Sequence, residues 1–197
     1  MLTKSWKVLG LITATTLVLG GAVLMALSQN SRTAGSVQSL KLPLINPRIV
    51  VLKSKRQLLL YSDEKLVRRY SMGLGFNPVD DKSKEGDGAT PEGTFYVFTR
   101  NEQSKYYLSL GVSYPNVEDA ERGLRDKLIT PGEYEEILKA NRDRVVPPQN
   151  TPLGGLIYIH GHGSQSDWTQ GCVALDDENM KELFDAVPVG TEVVIEP

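Results

Sequence analysis

A chain of 197 residues, 40% hydrophobic and 23% charged, has the composition of one globular domain and the length to bury a core; two large domains do not fit. The net charge of −2 conceals an asymmetry, because Lys4, Lys7, Arg32 and Lys41 precede residue 47 with no acid among them and leave 18 bases against 24 acids beyond. Such an acidic body excludes a broad phosphate-tracking surface, so nucleic acid is not an expected partner.

From Val8 to Ser31 no residue is charged. The run from Val8 to Leu27 is long enough as a helix to cross a bilayer core of ~30 Å at ~1.5 Å per residue. Lys4 and Lys7 on its N-terminal side place that end in the cytoplasm and everything after Leu27 outside it. Ala26-Leu27-Ser28 has small residues in a spacing that a signal peptidase tolerates, but about 20 apolar residues exceed a usual signal core. A retained transmembrane anchor within residues 1–28 is the favoured reading, and a cleaved secretion segment is the alternative. The membrane is then a partner through this helix, and the body is extracytoplasmic, in the periplasm or cell envelope. Residues 29–46 mix Ser, Gln, Thr and Pro with few aromatics and read as a linker. The folded domain is expected over residues 47–197.

Arg48–Lys53 and Gln57–Ser62 are aliphatic, β-branched runs around a polar Ser54-Lys55-Arg56, which predicts a hairpin. Leu66–Leu74 supplies a third strand. Thr94–Arg100 is aromatic and β-branched, and Tyr106–Val112 can pair with it across a loop. A helix is predicted over Asn116–Lys127, capped by Asn116. A second opens at Thr130-Pro131-Gly132-Glu133, which has a threonine cap, proline at the first helical position and glutamate three after the cap. Together they form a helical insertion that ends at Pro147 and Pro148. Gly155–His160 reads as a buried strand and Gly171–Leu175 as the start of another. Met180, Leu183, Phe184 and Val187 then fall on one helical face after a candidate cap at Asp176, and Thr191–Ile195 closes as a strand. The fold class is mainly β, of α+β type.

The only cysteine, Cys172, cannot form an internal disulfide. It is either a small buried apolar residue or a nucleophile. Both histidines of the chain, His160 and His162, lie within twelve residues of it. A thiol attacks a carbonyl as its thiolate, and so needs a base within reach and donors for the oxyanion it creates. His160 at the end of a buried strand is the candidate base, with Gly161 leaving its edge open. The amides of Gly171 and Cys172 are the candidate oxyanion donors. Two other readings stay open: His160, His162 and Cys172 as zinc ligands, and a core histidine beside a buried thiol. Under the catalytic reading His162 shapes the cleft or binds substrate, and no metal is required.

Ile159-His160-Gly161 followed by Asp167-Trp168-Thr169-Gln170-Gly171-Cys172-Val173-Ala174-Leu175 resembles the catalytic signature of the YkuD-type L,D-transpeptidases. Thr90-Pro91-Glu92-Gly93-Thr94-Phe95 matches that family's Thr-Pro-x-Gly-x-aromatic turn and strand. The resemblance covers residues 47 to 197. It departs from the commonest pattern at Gln170 and Ala174, where histidine and arginine usually stand. With Leu74-Gly75-Phe76-Asn77-Pro78, Glu85-Gly86-Asp87-Gly88 and Ser113-Tyr114-Pro115, the form Asp-Trp-Thr-x-Gly-Cys-[Ile/Val]-Ala looks like a subgroup that includes a periplasmic hydrolase, which detaches a lipoprotein from peptidoglycan.

The resemblance implies a β-sandwich-like fold and an acyl-enzyme on Cys172, formed at an L–D junction of a peptidoglycan stem peptide and passed to an amine or to water. It implies His160 as base and then acid, Gly171 and Cys172 as oxyanion donors, a backbone carbonyl as the imidazole's orienting partner, and no cofactor. Gly161, His162, Trp168, Thr169 and Arg100 are the expected substrate-contacting residues, and Arg142 and Arg144 are further candidates for stem-peptide carboxylates. Asp167 is expected to shape its loop. Stem peptides are the expected partners, with a wall-linked lipoprotein in the hydrolase case. Transfer to an amine is the leading expectation, hydrolysis the alternative and an inactive peptidoglycan-binding domain the third.

Overall fold

The hairpin expected at the start of the body forms around a turn that needs a left-handed residue. In the computed structural model, which describes residues 39–197, β1 (Pro47–Leu52) pairs antiparallel with β2 (Gln57–Ser62). A 3-10 turn over Lys53–Lys55 joins them, and Arg56 closes it at φ 50°. The expected anchor over residues 8–27 lies outside the described residues. Among those described, no helix is long and apolar enough to cross a membrane.

Strand β3 (Lys65–Ser71) continues the meander, and β4 (Gly93–Ser104) and β5 (Tyr107–Val112) form a second hairpin. Helices α1 (Val117–Arg125) and α2 (Pro131–Asp143) follow as the expected insertion. Each begins with a reciprocal capping box, Asn116 with Asp119 and Thr130 with Glu133, so the amides of the cap and of the third helical residue are satisfied from the chain's own sequence. The remaining elements are β6 (Tyr158–His160), β7 (Val173–Ala174), α3 (Asp177–Ala186) and β8 (Glu192–Glu196).

The eight strands form one sheet in the order β3-β2-β1-β8-β4-β5-β6-β7. In place of two separate layers, the long strand β4 links both halves: Gly93–Tyr96 pair with β8, and from Val97 onward the strand pairs with β5 across a register shift. A bulge of this kind bends a strand and lets a sheet curl around its own core. The last strand, β8, inserts in the middle, parallel to β1 and antiparallel to β4. It buries Val193 and Ile195. Helix α3 covers the sheet with Met180, Leu183 and Phe184, the face predicted from their spacing.

Two local expectations change. The strand expected over Gly155–His160 shrinks to Tyr158–His160, because Leu156 adopts φ 56° and breaks the extension. Asp176 does occupy the cap position of α3, yet its carboxylate makes no capping bond; it accepts instead from the Ser164 amide at 3.0 Å. That bond turns a helix start into an anchor for the loop before Cys172.

Candidate active site

The loop from Gly161 to Gly171 is held on three sides. Asp167 takes the Arg56 guanidinium through two nitrogens, with Nη2 at 2.8 Å from Oδ2 and Nε at 3.0 Å from each oxygen, and it also accepts the Leu74 amide at 2.9 Å. Asp167 is therefore a loop former, as expected. Asp176 and Asp177 accept the amides of Ser164 and His162, and backbone bonds from Thr169 to Leu74 and from Phe76 to Thr169 lay the loop along residues 74–76. Lys53, buried to 1% exposure, ties down the facing turn through the carbonyls of Asp80 and Thr90 and the carboxylate of Glu92. This fixes the Thr90-Pro91-Glu92-Gly93 segment, whose Thr90 hydroxyl accepts the Gly75 amide.

Strands β6 and β7 then set the chemistry. They are parallel, with Ile159 opposite Val173 and His160 opposite Ala174. Side chains two residues apart share a sheet face. Cys172, two before Ala174, consequently emerges on the same face as His160, and both line one cavity of about 610 Å³. The Cys172 sulfur accepts the Tyr158 amide at 3.4 Å and faces the Leu156 carbonyl at 3.5 Å.

His160 is held by three neighbours. Its Nδ1 lies 2.7 Å from the Gly161 carbonyl, the Tyr106 ring stacks on it at 4.6 Å, and Trp168 meets it edge-on at 5.6 Å. A carbonyl can only accept, so Nδ1 carries the proton of the neutral ring and Nε2 is the free base. Burial holds the imidazole below its ordinary value of 6.5, aided by His162 and opposed by the Gly161 bond. Burial likewise pushes the Cys172 thiol above 9.0, against the opposing pull of the Tyr158 amide and Lys82. Both shifts favour the uncharged forms, thiol and imidazole. Alkylation of Cys172 by iodoacetamide is accordingly expected to rise with pH to a midpoint above 9.0; a midpoint in the neutral range would show a preformed thiolate and contradict this electrostatic account.

Of the other residues expected at the site, Trp168 and Thr169 line the cavity. Gly171 serves a backbone role: at φ 124°, a Cβ there would stand 2.7 Å from the Ala89 carbonyl oxygen. Its expected place as an oxyanion donor changes, because its N–H is already given to the Thr169 hydroxyl at 3.1 Å. The Cys172 amide has no acceptor among the described residues. Gly161 packs where a Cβ would meet Asp177 Oδ1 at 2.4 Å, and its amide donates to the Tyr106 carbonyl at 3.0 Å. It touches the site through its carbonyl on His160. His162 faces a neighbouring pocket of about 430 Å³ with Tyr106 and Trp168. Arg100 turns away from the cavity, donating to the Val187 carbonyl at 2.7 Å and lying over the Phe184 ring. Arg144 is likewise engaged, with the Gly190 carbonyl and the Tyr96 ring.

Tyr106, Ser109, Leu156, Tyr158 and Lys82 also line the cavity with no motif in the sequence to mark them, and Glu85, part of the Glu85-Gly86-Asp87-Gly88 motif, joins them. An aromatic residue at a hairpin tip was the one available signal, for Tyr106. Among the described residues no group of three or more histidine, cysteine or acidic side chains converges as metal ligands would, and His160, His162 and Cys172 form no such group.

A family model of the L,D-transpeptidase catalytic domain, YkuD, matches residues 46–195. The chain belongs to this enzyme family, whose members act on peptidoglycan stem peptides in the cell wall. No curated protein matches the sequence. Among solved structures, the helical cell shape determining protein Pgp2 of Campylobacter jejuni is 24% identical with a TM-score of 0.50, over 76% of this chain and 47% of that one. Bd1075 of Bdellovibrio bacteriovorus is 21% identical with a TM-score of 0.50, over 78% and 48%. An L,D-transpeptidase of Xylanimonas cellulosilytica is 17% identical with a TM-score of 0.45, over 80% and 63%. At these identities the likeness to the first two is one of fold, and this chain spans about half the length of each.

Proposed function

We propose that this domain is an extracytoplasmic cysteine acyltransferase of the cell wall, with Cys172 as nucleophile and His160 as base and then acid. One observation carries the reading: Cys172 and His160 emerge on one face of adjacent parallel strands into one cavity, with Nδ1 of the imidazole tied to a carbonyl. Nε2 takes the thiol proton as the sulfur bonds the carbonyl carbon of an amide at an L–D junction. The carbonyl electron pair moves to oxygen, where the Cys172 amide donates to it. Collapse breaks the C–N bond, and His160 returns its proton to the departing nitrogen, leaving a thioester. An amine then adds to the thioester while His160 again accepts a proton, and the sulfur leaves and is reprotonated.

Water can replace the amine at that last step, which makes hydrolysis the second reading. Gln170, standing on the cavity wall where the family's common pattern has histidine, favours keeping it, as does the subgroup signature Asp-Trp-Thr-x-Gly-Cys-Val-Ala. In that case a wall-linked lipoprotein is a candidate substrate. The two readings separate on purified sacculi treated with the enzyme, with and without an added amine, and analysed as muropeptides by mass spectrometry. Transfer yields amine-bearing products. Hydrolysis yields shortened peptides whether or not amine is present, and unaltered muropeptides in both conditions would contradict acyl transfer of either kind.

A further inference from the structure

The segment from Asp81 to Ala89 brings a buried cation to the cavity of Cys172. Lys82 is 2% exposed and lines the cavity, and Arg122 of α1 fixes its backbone by donating to the Lys82 carbonyl at 2.6 Å and to Asp81 Oδ2 at 2.9 Å. Two routes lead from this lysine to the sulfur. Its Cε lies 3.4 Å from where a Cβ on Gly154 would stand, at the start of the wall whose Leu156 carbonyl faces Sγ at 3.5 Å. Its Nζ shares Asp87 Oδ1 with the Ala89 amide, at 2.9 and 3.1 Å, and the Ala89 carbonyl oxygen stands 2.7 Å from the Cβ position of Gly171, the residue before Cys172.

The Lys82–Asp87 pair presents its positive member to the cavity, since Lys82 lines it and Asp87 does not. The Asp87 carboxylate is divided among four donors, Lys82 Nζ and the amides of Ser83, Lys84 and Ala89. Burial opposes its charge, but those bonds hold its carboxyl below the ordinary 3.8. The ammonium gives one proton to Asp87 and one to the Lys84 carbonyl, and its third N–H has no oxygen acceptor among the described residues. A lysine buried with an N–H left over costs stability, which points to a use for its charge.

Other titratable groups share the cavity with the sulfur: His160 and Tyr158 of β6, Lys105 and Tyr106 at the β4–β5 hairpin tip, and Glu85 near Lys82. Lys105 and Glu85 are exposed, so water and salt screen their charges, whereas the buried Lys82 acts through a wall of low dielectric. Burial raises the Cys172 thiol, and the Tyr158 amide and then the Lys82 charge work against it. We propose that Lys82 is a fixed cation that acts on Cys172 through space, stabilising the negative charge left on the sulfur as its proton passes to Nε2 of His160. Thiol and neutral imidazole become thiolate and imidazolium, and Lys82 takes no part in the transfer itself. It touches none of the reacting atoms and works by its field alone. The inference rests on Cys172 being the nucleophile.

The test is the rate of Cys172 alkylation by iodoacetamide at about pH 8, below the thiol's titration, where the rate follows the thiolate fraction. Lys82→Met is expected to slow alkylation about tenfold, the scale of one pKa unit. Lys82→Arg keeps the charge and should stay within about threefold of wild type. Asp87→Asn leaves the ammonium without its counter-charge and should speed the reaction. A lysine that merely pinned the loop would instead give changes of one sign in Lys82→Met and Asp87→Asn. Changes of one sign, an arginine variant as slow as the methionine one, or a methionine variant as fast as wild type would each overturn the proposal. Should Lys82→Met fail to fold, the direction of change in Asp87→Asn decides alone. Iodoacetamide needs no acyl transfer, so these outcomes leave the acyl-transfer reading standing; that reading fails instead if a carbapenem leaves the wild type unlabelled, whatever the alkylation rates.

Discussion

Replacing Cys172 by alanine is expected to cut turnover of an L–D peptide by at least about 10⁴-fold, because it removes the thiol on which the covalent intermediate forms. The lining residues near the sulfur are the carbonyl side of Leu156, the phenol of Tyr158, and hydroxyl and amide groups of Thr169 and Gln170. None of these is a nucleophile at neutral pH without a base of its own. The loss should come without unfolding. The sulfur makes two long contacts, at 3.4 and 3.5 Å, and alanine preserves the backbone on which the β6–β7 pairing depends. A melting temperature within a few degrees of wild type is therefore expected, on the order of the shift that ~1 kcal/mol produces in a domain of this size. Turnover that survived in a folded Cys172→Ala protein would refute the assignment.

The second large effect is expected at His160. Removing a general base commonly costs ~10²–10⁴-fold in rate, and His160→Ala should fall in that range. The imidazole is 2% exposed and sits against Tyr106 and Trp168, so alanine also opens a void and lowers stability. His160→Gln separates the two effects, since it fills most of the space but cannot carry the proton, and it should lose rate on the same scale. The pH profile supplies a further check. The base must be neutral to accept the thiol proton, and burial holds its titration below 6.5. Activity should therefore persist as pH falls through the ordinary imidazole value and decline only below it. An acid limb of kcat/KM lying above 6.5 would contradict the burial seen at His160.

Much of this site was legible in the chain because its signals are local. The β1–β2 hairpin, the Thr130 capping box and the apolar face of α3 depend on residues within a few positions of one another, and all three form. His160 and Cys172, close in the chain, line one cavity, because the loop between them joins two adjacent parallel strands. What stayed hidden depends on long-range partners. Tyr106 reaches His160 because β5 pairs with β6, a register that no local pattern specifies. Asp176 holds the cap position of α3 as its place in the sequence suggests, but its carboxylate accepts the distant Ser164 amide in place of a helix amide. Gly171 looked like an oxyanion donor, but the Thr169 hydroxyl two residues earlier takes its N–H. Arg100 suited a carboxylate by chemistry alone, and the packing of α3 against β5 sent it to Val187 and Phe184 instead.

The most direct measurement is the mass of the intact protein after incubation with a carbapenem, followed by peptide mapping of any adduct. A strained cyclic amide needs only an activated thiol to open, so the reaction isolates the first half of the proposed chemistry from the choice of acceptor. One added carbapenem mass, located on the peptide containing Cys172 and missing from Cys172→Ala, is the predicted result. An unmodified wild-type protein, or a label of equal yield in the alanine variant, would contradict acyl transfer at this sulfur.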